Sequence, residues 1–479
     1  MITRLEVDGF KSLSDFSVDL PPFVALVGGN AAGKSNIFDA LALLSRVVTM
    51  PLAEALASGR GEPDEQFRRR GDGSRASQIR LAAELLVPAQ VSDGYGSTAT
   101  VDHTRLRYER TFSMRADERG IRRPLVDDES ITTIRKGKDP LATRVASSFA
   151  AEHLRYRGSN RTILETRERP DGSRYFALKG TRRSPQGRLF EMPFQRAAST
   201  VLSSISTAID YPMLFAVRKE IASWRFLQLE PAAVRLPSVV GSPDDHLTGD
   251  GSNLAWVLEL LRLSSQSQES PGLDELAADL ARIVRGFSRI EVRANEARGQ
   301  WEVYLHTRDD GEVSARVASD GTLRMIALLA ALYEPDEPGV VCFEEPENGI
   351  NPQRLAEMID VLRSLVTDMT GQGRGRDTGL VQLIMSSHSP KLLLELQPEE
   401  LLVVDKVGLV EADSSRPSQV TRARKILRAG EQLGTLDGWP ELPESTRFTL
   451  PGISRDEARQ IVDAGEGSER SGAGITFAR

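Results

Sequence analysis

Along residues 2–10, ITRLEVDGF, apolar and polar side chains alternate with the period of two that a half-buried strand imposes. Residues 22–29, PFVALVGG, read differently. The apolar run is continuous and stops at two glycines, as in a strand covered on both faces. The segment IFDALALLSRVV that follows has helical apolar spacing, and QIRLAAELLV (78–87) reads as another strand. From residue 91 to 225 the texture changes: Gly, Ser and Arg become common, TRLRYERTFS and SRYFALKG are short strand candidates, and AASTVLSSISTAI (197–209) is a helical one. Alternating α/β texture returns at SWRFLQLEP. GSNLAWVLELLRL opens with capping residues and continues as a helix, RIEVRAN and QWEVYLHTR form a hairpin pattern, and GTLRMIALLAALYE is a helix. GVVCFEEPENGINP (339–352) and GLVQLIMSSHSP (379–390) each contain a buried-strand run. The last stretch, 451–479, is rich in Gly, Ser, Arg and Glu and lacks apolar periodicity, so part of it is expected to be disordered. No internal repeat and no sustained heptad pattern is present.

Composition narrows the class. With 40% hydrophobic and 27% charged residues the chain is globular in balance, and no window holds 18 uninterrupted apolar residues, so no membrane span is expected. The N-terminus lacks a basic segment followed by an apolar one, so a cytoplasmic location is expected. The single cysteine, Cys342, excludes an internal disulfide and a cysteine zinc site, and its place in an apolar run suits a small buried thiol. The net charge of −7 argues against strong nucleic-acid binding by the whole surface, yet residues 101–200 hold 22 Lys/Arg against 13 Asp/Glu. That asymmetry fits either a surface for a phosphate backbone or acidic partner, or a solvated arginine-rich face.

Chemistry enters at residues 28–35. GGNAAGKS satisfies G-x-x-x-x-G-K-[ST] between a strand and a helix, the P-loop arrangement in which backbone N–H groups and a helix N-terminus cradle phosphates. Gly28, Asn30 and Gly33 belong to the loop; Gly28 and Gly33 allow close backbone approach. Lys34 would neutralise β/γ charge, Ser35 would ligate Mg²⁺, and Asn36 continues the helix start. ATP and Mg²⁺ are therefore the expected ligands. The strand VVCF ends in Glu344 and Glu345, and a buried carboxylate is costly unless a cation pairs with it. P-loop folds bring a second core strand beside the phosphates to carry an acid to the metal. The pleat should turn the two glutamates to opposite sides, which assigns Glu344 to the Mg²⁺ shell and Glu345 to polarising the attacking water as general base.

Four ordered motifs carry a family likeness: GFKSL followed by VGGNAAGKSN, SDGTLR (319–324), VVCFEEPENGINP, and IMSSHSP (384–390). Together they resemble the ABC-type ATPases, and within these the branch of RecF and the structural-maintenance-of-chromosomes (SMC) proteins. WRFLQLEP and DGSNLAWVL are similar to segments of stand-alone bacterial AAA-type ATPases, many of them partnered with an effector in phage defence. The likeness covers about residues 1–90 and 220–435 and is weak across the arginine-rich region. It implies an α/β P-loop NTPase fold: an ABC ATPase-like head with a mixed β-sheet flanked by helices, plus an α+β insertion. On that reading 1–90 is the N-terminal part of the head, 91–225 the insertion, 226–435 the C-terminal part of the head, and 436–479 a partly disordered tail.

The resemblance further implies a homodimer that closes on ATP, each site completed by the partner's signature. Ser319 and Gly321 would then contact the γ-phosphate in trans, and His388 would sense or orient it. Lys11 stands where related ATPases place a basic residue beside the nucleotide, the alternative being an exposed turn lysine. Gln66 and Gln78 are both candidates for the Q-loop glutamine. Asn351 departs from the acidic D-loop residue, and Glu344 from the more common Asp. Two purposes of the cycle are expected: an ATP-gated machine acting on or sensing duplex DNA in genome maintenance or phage defence, with arginines of 101–200 and 67–75 on the phosphates, or a regulatory scaffold that holds and releases a separate effector protein. A built-in nuclease, as in the overcoming-lysogenization-defect enzymes, is not expected, because the residues after His388 lack paired D-x-D carboxylates and are too few for another core.

Overall fold

The structure, a computed structural model, describes residues 1–116, 119–157, 161–179, 189–193, 197–242, 244–264, 272–334, 339–373, 375–376, 379–410, 416–426, 453 and 457–462. Two large sheets organise it. One is antiparallel with eight strands, in the order Leu189–Pro193, Arg174–Lys179, Thr162–Glu168, Arg122–Thr133, Arg105–Ala116, Gln78–Leu86, Ile2–Asp8 and Phe16–Asp19. The arginine-rich region thus adds five strands to a sheet that begins with the N-terminal strand. The other sheet has six strands, in the order Arg225–Leu227, Val340–Glu344, Gln382–Ser387, Phe23–Val27, Leu401–Leu409 and Ser418–Lys425; all pairs are parallel except the last.

The five-residue run Phe23–Val27 shows why the parallel strands read as continuous apolar segments. Val24 and Leu26 face one core with the antiparallel sheet and the helix Lys34–Val47, while Phe23, Ala25 and Val27 face a second core. The helices Leu254–Ser264, Leu273–Ile283, Asp320–Tyr333 and Leu355–Ser364 cover that second face. Strands Val340–Glu344 and Gln382–Ser387 divide their side chains the same way, with Cys342 and Ile384 on one side and Phe343 and Met385 on the other. Both faces exclude water, so alternation disappears from the sequence. The expected hairpin is present as Phe287–Asn295 paired antiparallel with Gln300–Thr307. Cys342 is buried, and burial pushes its thiol well above the ordinary range.

One expected element is absent. Residues 197–209 form only a single turn of 3₁₀ helix, Leu202–Ser204. Ser203 Oγ and Ser204 Oγ each donate to a carbonyl three residues back, at 2.7 Å, and Thr200 Oγ1 donates to Val47 O. The Val201 N–H, which a helix would direct to a carbonyl four residues back, goes to the buried Glu129 carboxylate at 2.6 Å. Hydroxyls and a distant acid outcompete the helical ladder. Much of the expected disordered tail lies outside the described residues; Ile453, Ala458 and Val462 are buried in the second core. Among the described residues no helix is long and apolar enough to cross a membrane.

Candidate functional site

Residues 28–33 leave the end of strand Phe23–Val27 and turn into the helix Lys34–Val47. Two residues of this loop occupy the left-handed region, Ala31 at φ 59° and Gly33 at φ 108°. Gly33 caps the helix, and a Cβ there would collide with the Thr421 side chain, so only glycine suits both its backbone and its space. The curl leaves the N–H groups of Asn30, Ala31, Gly33, Lys34 and Ser35 with no acceptor among the described residues. A helix N-terminus with unpaired N–H groups is an anion site by construction. Lys34 Nζ bends back onto the carbonyls of Gly28 (2.6 Å) and Gly29 (3.0 Å). Burial lowers its pKa, against the opposing fields of Glu345, Glu344 and Glu347. The lysine and all three acids therefore share one electrostatic neighbourhood.

Strand Val340–Glu344 is parallel to Gln382–Ser387, which in turn borders Phe23–Val27, so the acids and His388 emerge from the same sheet edge as the P-loop. Glu344 Oε1 is buried and has no hydrogen-bond donor among the described residues. Glu345 lies just beyond the strand at φ 54°, so a left-handed turn, not the pleat, separates the two side chains. Alternation along the strand, expected from the sequence, does not set their directions, because the strand ends at Glu344. Glu345 Oε1 sits 2.9 Å from His388 Nδ1, and its Oε2 accepts from Asn348 Nδ2 at 2.6 Å. Both Glu345 and His388 are about one-third exposed, and so open to solvent.

The helix Asp320–Tyr333 begins at exposed Ser319, whose hydroxyl accepts from the Thr322 N–H at 3.2 Å as an N-cap. Gly321 and Gly349 touch backbone to backbone, and a Cβ at Gly321 would strike the Gly349 carbonyl. Arg324, one turn further along the helix, donates to the Glu344 carbonyl at 2.9 Å while its guanidinium lies over the Phe343 ring. Neither Ser319 nor Gly321 forms a hydrogen bond with residues 28–36 of the same chain among the described residues. Asn351 caps the turn after the acids, accepting from the Gln353 N–H at 3.0 Å.

Other expected residues take mixed positions. Lys11, at φ 45°, is half-buried rather than exposed and ion-pairs with Asp39 of the P-loop helix at 2.6 Å. Asn30 is exposed. Gln66 is buried against the Arg60 carbonyl and its own carbonyl accepts the Lys11 N–H, whereas the Gln78 amide reaches Asp127 at 3.3 Å. Asn36 Nδ2 donates to Ser12 Oγ at 2.6 Å, and Ser12 in turn meets Thr421 Oγ1 at 2.6 Å.

Sequence reasoning missed Ser12, Thr421, Glu347, Ser387 and Arg324. Buried Thr421 supports the loop by donating to the Ala32 carbonyl at 3.3 Å. Buried Ser387 donates to Glu347 Oε1 and accepts the Ser389 N–H at 3.0 Å. Glu347 Oε2 is buried without a donor, and burial raises this carboxyl above the usual range despite Ser387 and the field of His388. Ser12, Arg324, Glu347 and Ser387 lie inside the motifs quoted for the family likeness but are given no role of their own by it, and Thr421 lies outside every motif. Away from this site, Glu291, His306 and Glu312 lie close enough to share an ion, but Arg293 already bonds both glutamates at 2.6 Å.

Comparison with known proteins gives one family and several distant structures. The family described as "AAA domain, putative AbiEii toxin, Type IV TA system" matches residues 23–395. No curated protein matches the chain. Among solved structures, an SMC head bound to the C-terminal winged-helix domain of ScpA is 13% identical with a TM-score of 0.47, covering 88% of this chain and 98% of its own. The Pyrococcus furiosus SMC head with an extended coiled coil, bound to the ScpA C-terminal domain, gives 13% identity and 0.44, with coverage of 88% and 96%. The Thermotoga maritima SMC head domain gives 11% and 0.36, with coverage of 89% and 99%. The family match spans the P-loop, the helix that opens at Ser319, the acidic strand and His388, and the chain belongs to this AAA-domain family, with the mixed α/β fold of a P-loop ATPase.

Proposed function

We propose that the chain binds ATP with Mg²⁺ and hydrolyses it in a site that a second copy of the chain completes. The observation that carries this reading is the pairing of opposites at one sheet edge. Among the described residues, a partly buried Lys34 bonded only to carbonyls stands with five unpaired N–H groups in the field of three acids, two of which, Glu344 and Glu347, have a buried oxygen with no donor. An anion for the loop and a cation for the acids are both wanted, and a metal–triphosphate supplies them together. The residues fit that group: Lys34 and the loop N–H groups would hold phosphate, and Ser35 and Glu344 the metal. When bound, Mg²⁺ neutralises developing charge on the phosphate oxygens. Glu345 would take the proton of the attacking water, with His388 and Asn348 fixing the two carboxylate oxygens so that the acid does not swing away. Lys11 holds the P-loop helix through Asp39.

Exposed Ser319 and buried Gly321, unbonded to their own P-loop, suit use in trans. We read the cycle as acting on or sensing duplex DNA, in genome maintenance or defence. A second reading, control of a separate effector, is favoured by the toxin–antitoxin wording of the family description. Composite sites predict complementation. Lys34→Ala and Ser319→Arg chains should each be inactive alone. Mixed, they form one intact site, and ATP hydrolysis should return to a sizeable fraction of the wild-type rate. No recovery on mixing, from chains that each remain folded, would overturn completion in trans.

A further inference from the structure

The arginines of the central region are not equivalent. On the open face of the antiparallel sheet Arg4, Arg80 and Arg107 are laced to Glu6 and Glu109, with Arg4 also on Asp19, so those cations are already neutralised. One end of the sheet is different. Arg135, Lys136, Lys138, Arg144, Arg155 and Arg161 are exposed and have no acidic partner among the described residues.

These six are held close together by backbone contacts. The Arg161 carbonyl accepts from the Thr133 N–H at 3.0 Å, and the Arg155 carbonyl from the Thr104 N–H at 3.1 Å. Ile134 N donates to the Arg105 carbonyl, and Ile134 O meets His103 Nε2 at 2.8 Å. Beneath them a buried hub fixes the 135–144 loop: Asp139 accepts from Arg105 Nε at 2.7 Å, Tyr156 Oη at 2.6 Å and the Leu141 N–H at 3.1 Å. The cations therefore project from an ordered platform, which lowers the entropy lost when a polyanion binds. Among the described residues, the exposed acids of the 101–161 segments that carry these cations are Asp102, which pairs with Arg157, and Glu152.

We propose that this platform binds the phosphate backbone of duplex DNA; the inference rests on the DNA reading of the cycle and locates its surface. Four of the six cations are arginines, whose forked donors match phosphate. No large apolar side chain of 133–157 is exposed. That disfavours base stacking on single strands and insertion into a membrane, both of which use exposed aromatic or apolar groups. The platform lies at the opposite end of the parallel strands from the P-loop: the Ala146 N–H donates to the Met369 carbonyl, in the segment that enters strand Gln382–Ser387, whereas His388 marks its exit.

The test is fluorescence anisotropy with a 30-base-pair duplex at two salt concentrations, on the full chain. Wild type should bind and weaken steeply with salt. The triple variant Lys136→Glu, Lys138→Glu, Arg144→Glu should lose at least tenfold in affinity and flatten the log–log salt slope by about two to three, given roughly 0.9 per phosphate contact. It should bind a fluorescent ATP analogue normally, because the P-loop is remote. The milder pair Lys136→Ala, Lys138→Ala should fall by several-fold, and Arg80→Ala, on the paired face, by less than twofold. Wild-type failure to bind duplex, unchanged binding by the triple variant, or a preference for phosphatidylserine vesicles over duplex would each overturn the proposal. Loss of ATP binding by wild type would instead strike the nucleotide reading.

Discussion

Glu345 holds a left-handed backbone, φ 54°, that a β-carbon disfavours by about 1–2 kcal/mol, and the cost is met by two hydrogen bonds to its carboxylate. The turn carries the carboxylate to His388 while leaving Glu344 at the strand end. Two residues on, Glu347 grips Ser387, the residue before His388, so the acidic turn and the histidine strand are joined twice. Glu347→Ala should therefore lower kcat by about tenfold with little change in KM for ATP. Glu347→Gln should recover most of it, since an amide oxygen still accepts from Ser387. Equal loss in both variants, or a loss confined to KM, would refute this positioning role; steady-state kinetics decides. That Gly28, Gly33, Lys34, Ser35, Glu344 and Glu345 would meet at one sheet edge was legible from residue type and spacing, and His388 joined them through the family likeness. Ser12, Thr421 and Ser387 were not legible, because each works through a partner tens to hundreds of positions away, and serine or threonine alone advertises nothing.

Among the elements, the parallel strands and the helices Lys34–Val47 and Asp320–Tyr333 were readable from apolar runs and spacing. The strand Ser418–Lys425 was not: SQVTRARK has too few apolar residues to signal burial, yet it carries Thr421 under the P-loop. Residues 197–209 were misread as a helix because periodicity cannot register a buried glutamate that captures their N–H groups. The antiparallel sheet makes a testable contribution to acid stability. Burial works to raise the Glu6 carboxyl, but Arg107 and Arg4 outweigh it and hold the pKa down at about 2 from an ordinary 4.5. A depressed carboxyl stabilises the fold fully above the unfolded pKa, and the contribution is lost as pH falls toward the folded one. With the side chain 15% exposed, the shift corresponds to about 3 kcal/mol at neutral pH. Thermal unfolding of Glu6→Gln should show a deficit at pH 7 that shrinks between pH 4.5 and 2. A deficit independent of pH would contradict the ion-pair account.

At the scale of the whole molecule, the helix Lys34–Val47 lies between the two sheets and shares one core with both, so a change at the P-loop has a packed route to the antiparallel sheet. The Arg324 hydrogen bond and the Gly321–Gly349 contact give the helix Asp320–Tyr333 a similar tie to the acids. Exposed Ser319 sits on the surface that a second chain would have to meet. The central claim, that this edge is half of an ATP site, is tested most directly by the solution mass of Glu345→Gln from light scattering with and without Mg²⁺-ATP. The account predicts ATP bound, hydrolysis slowed by about 10²–10⁴-fold and a stable doubling of mass that Lys34→Ala does not show. Wild-type hydrolysis by Glu345→Gln, or a mass that stays that of one chain with ATP bound, would contradict it.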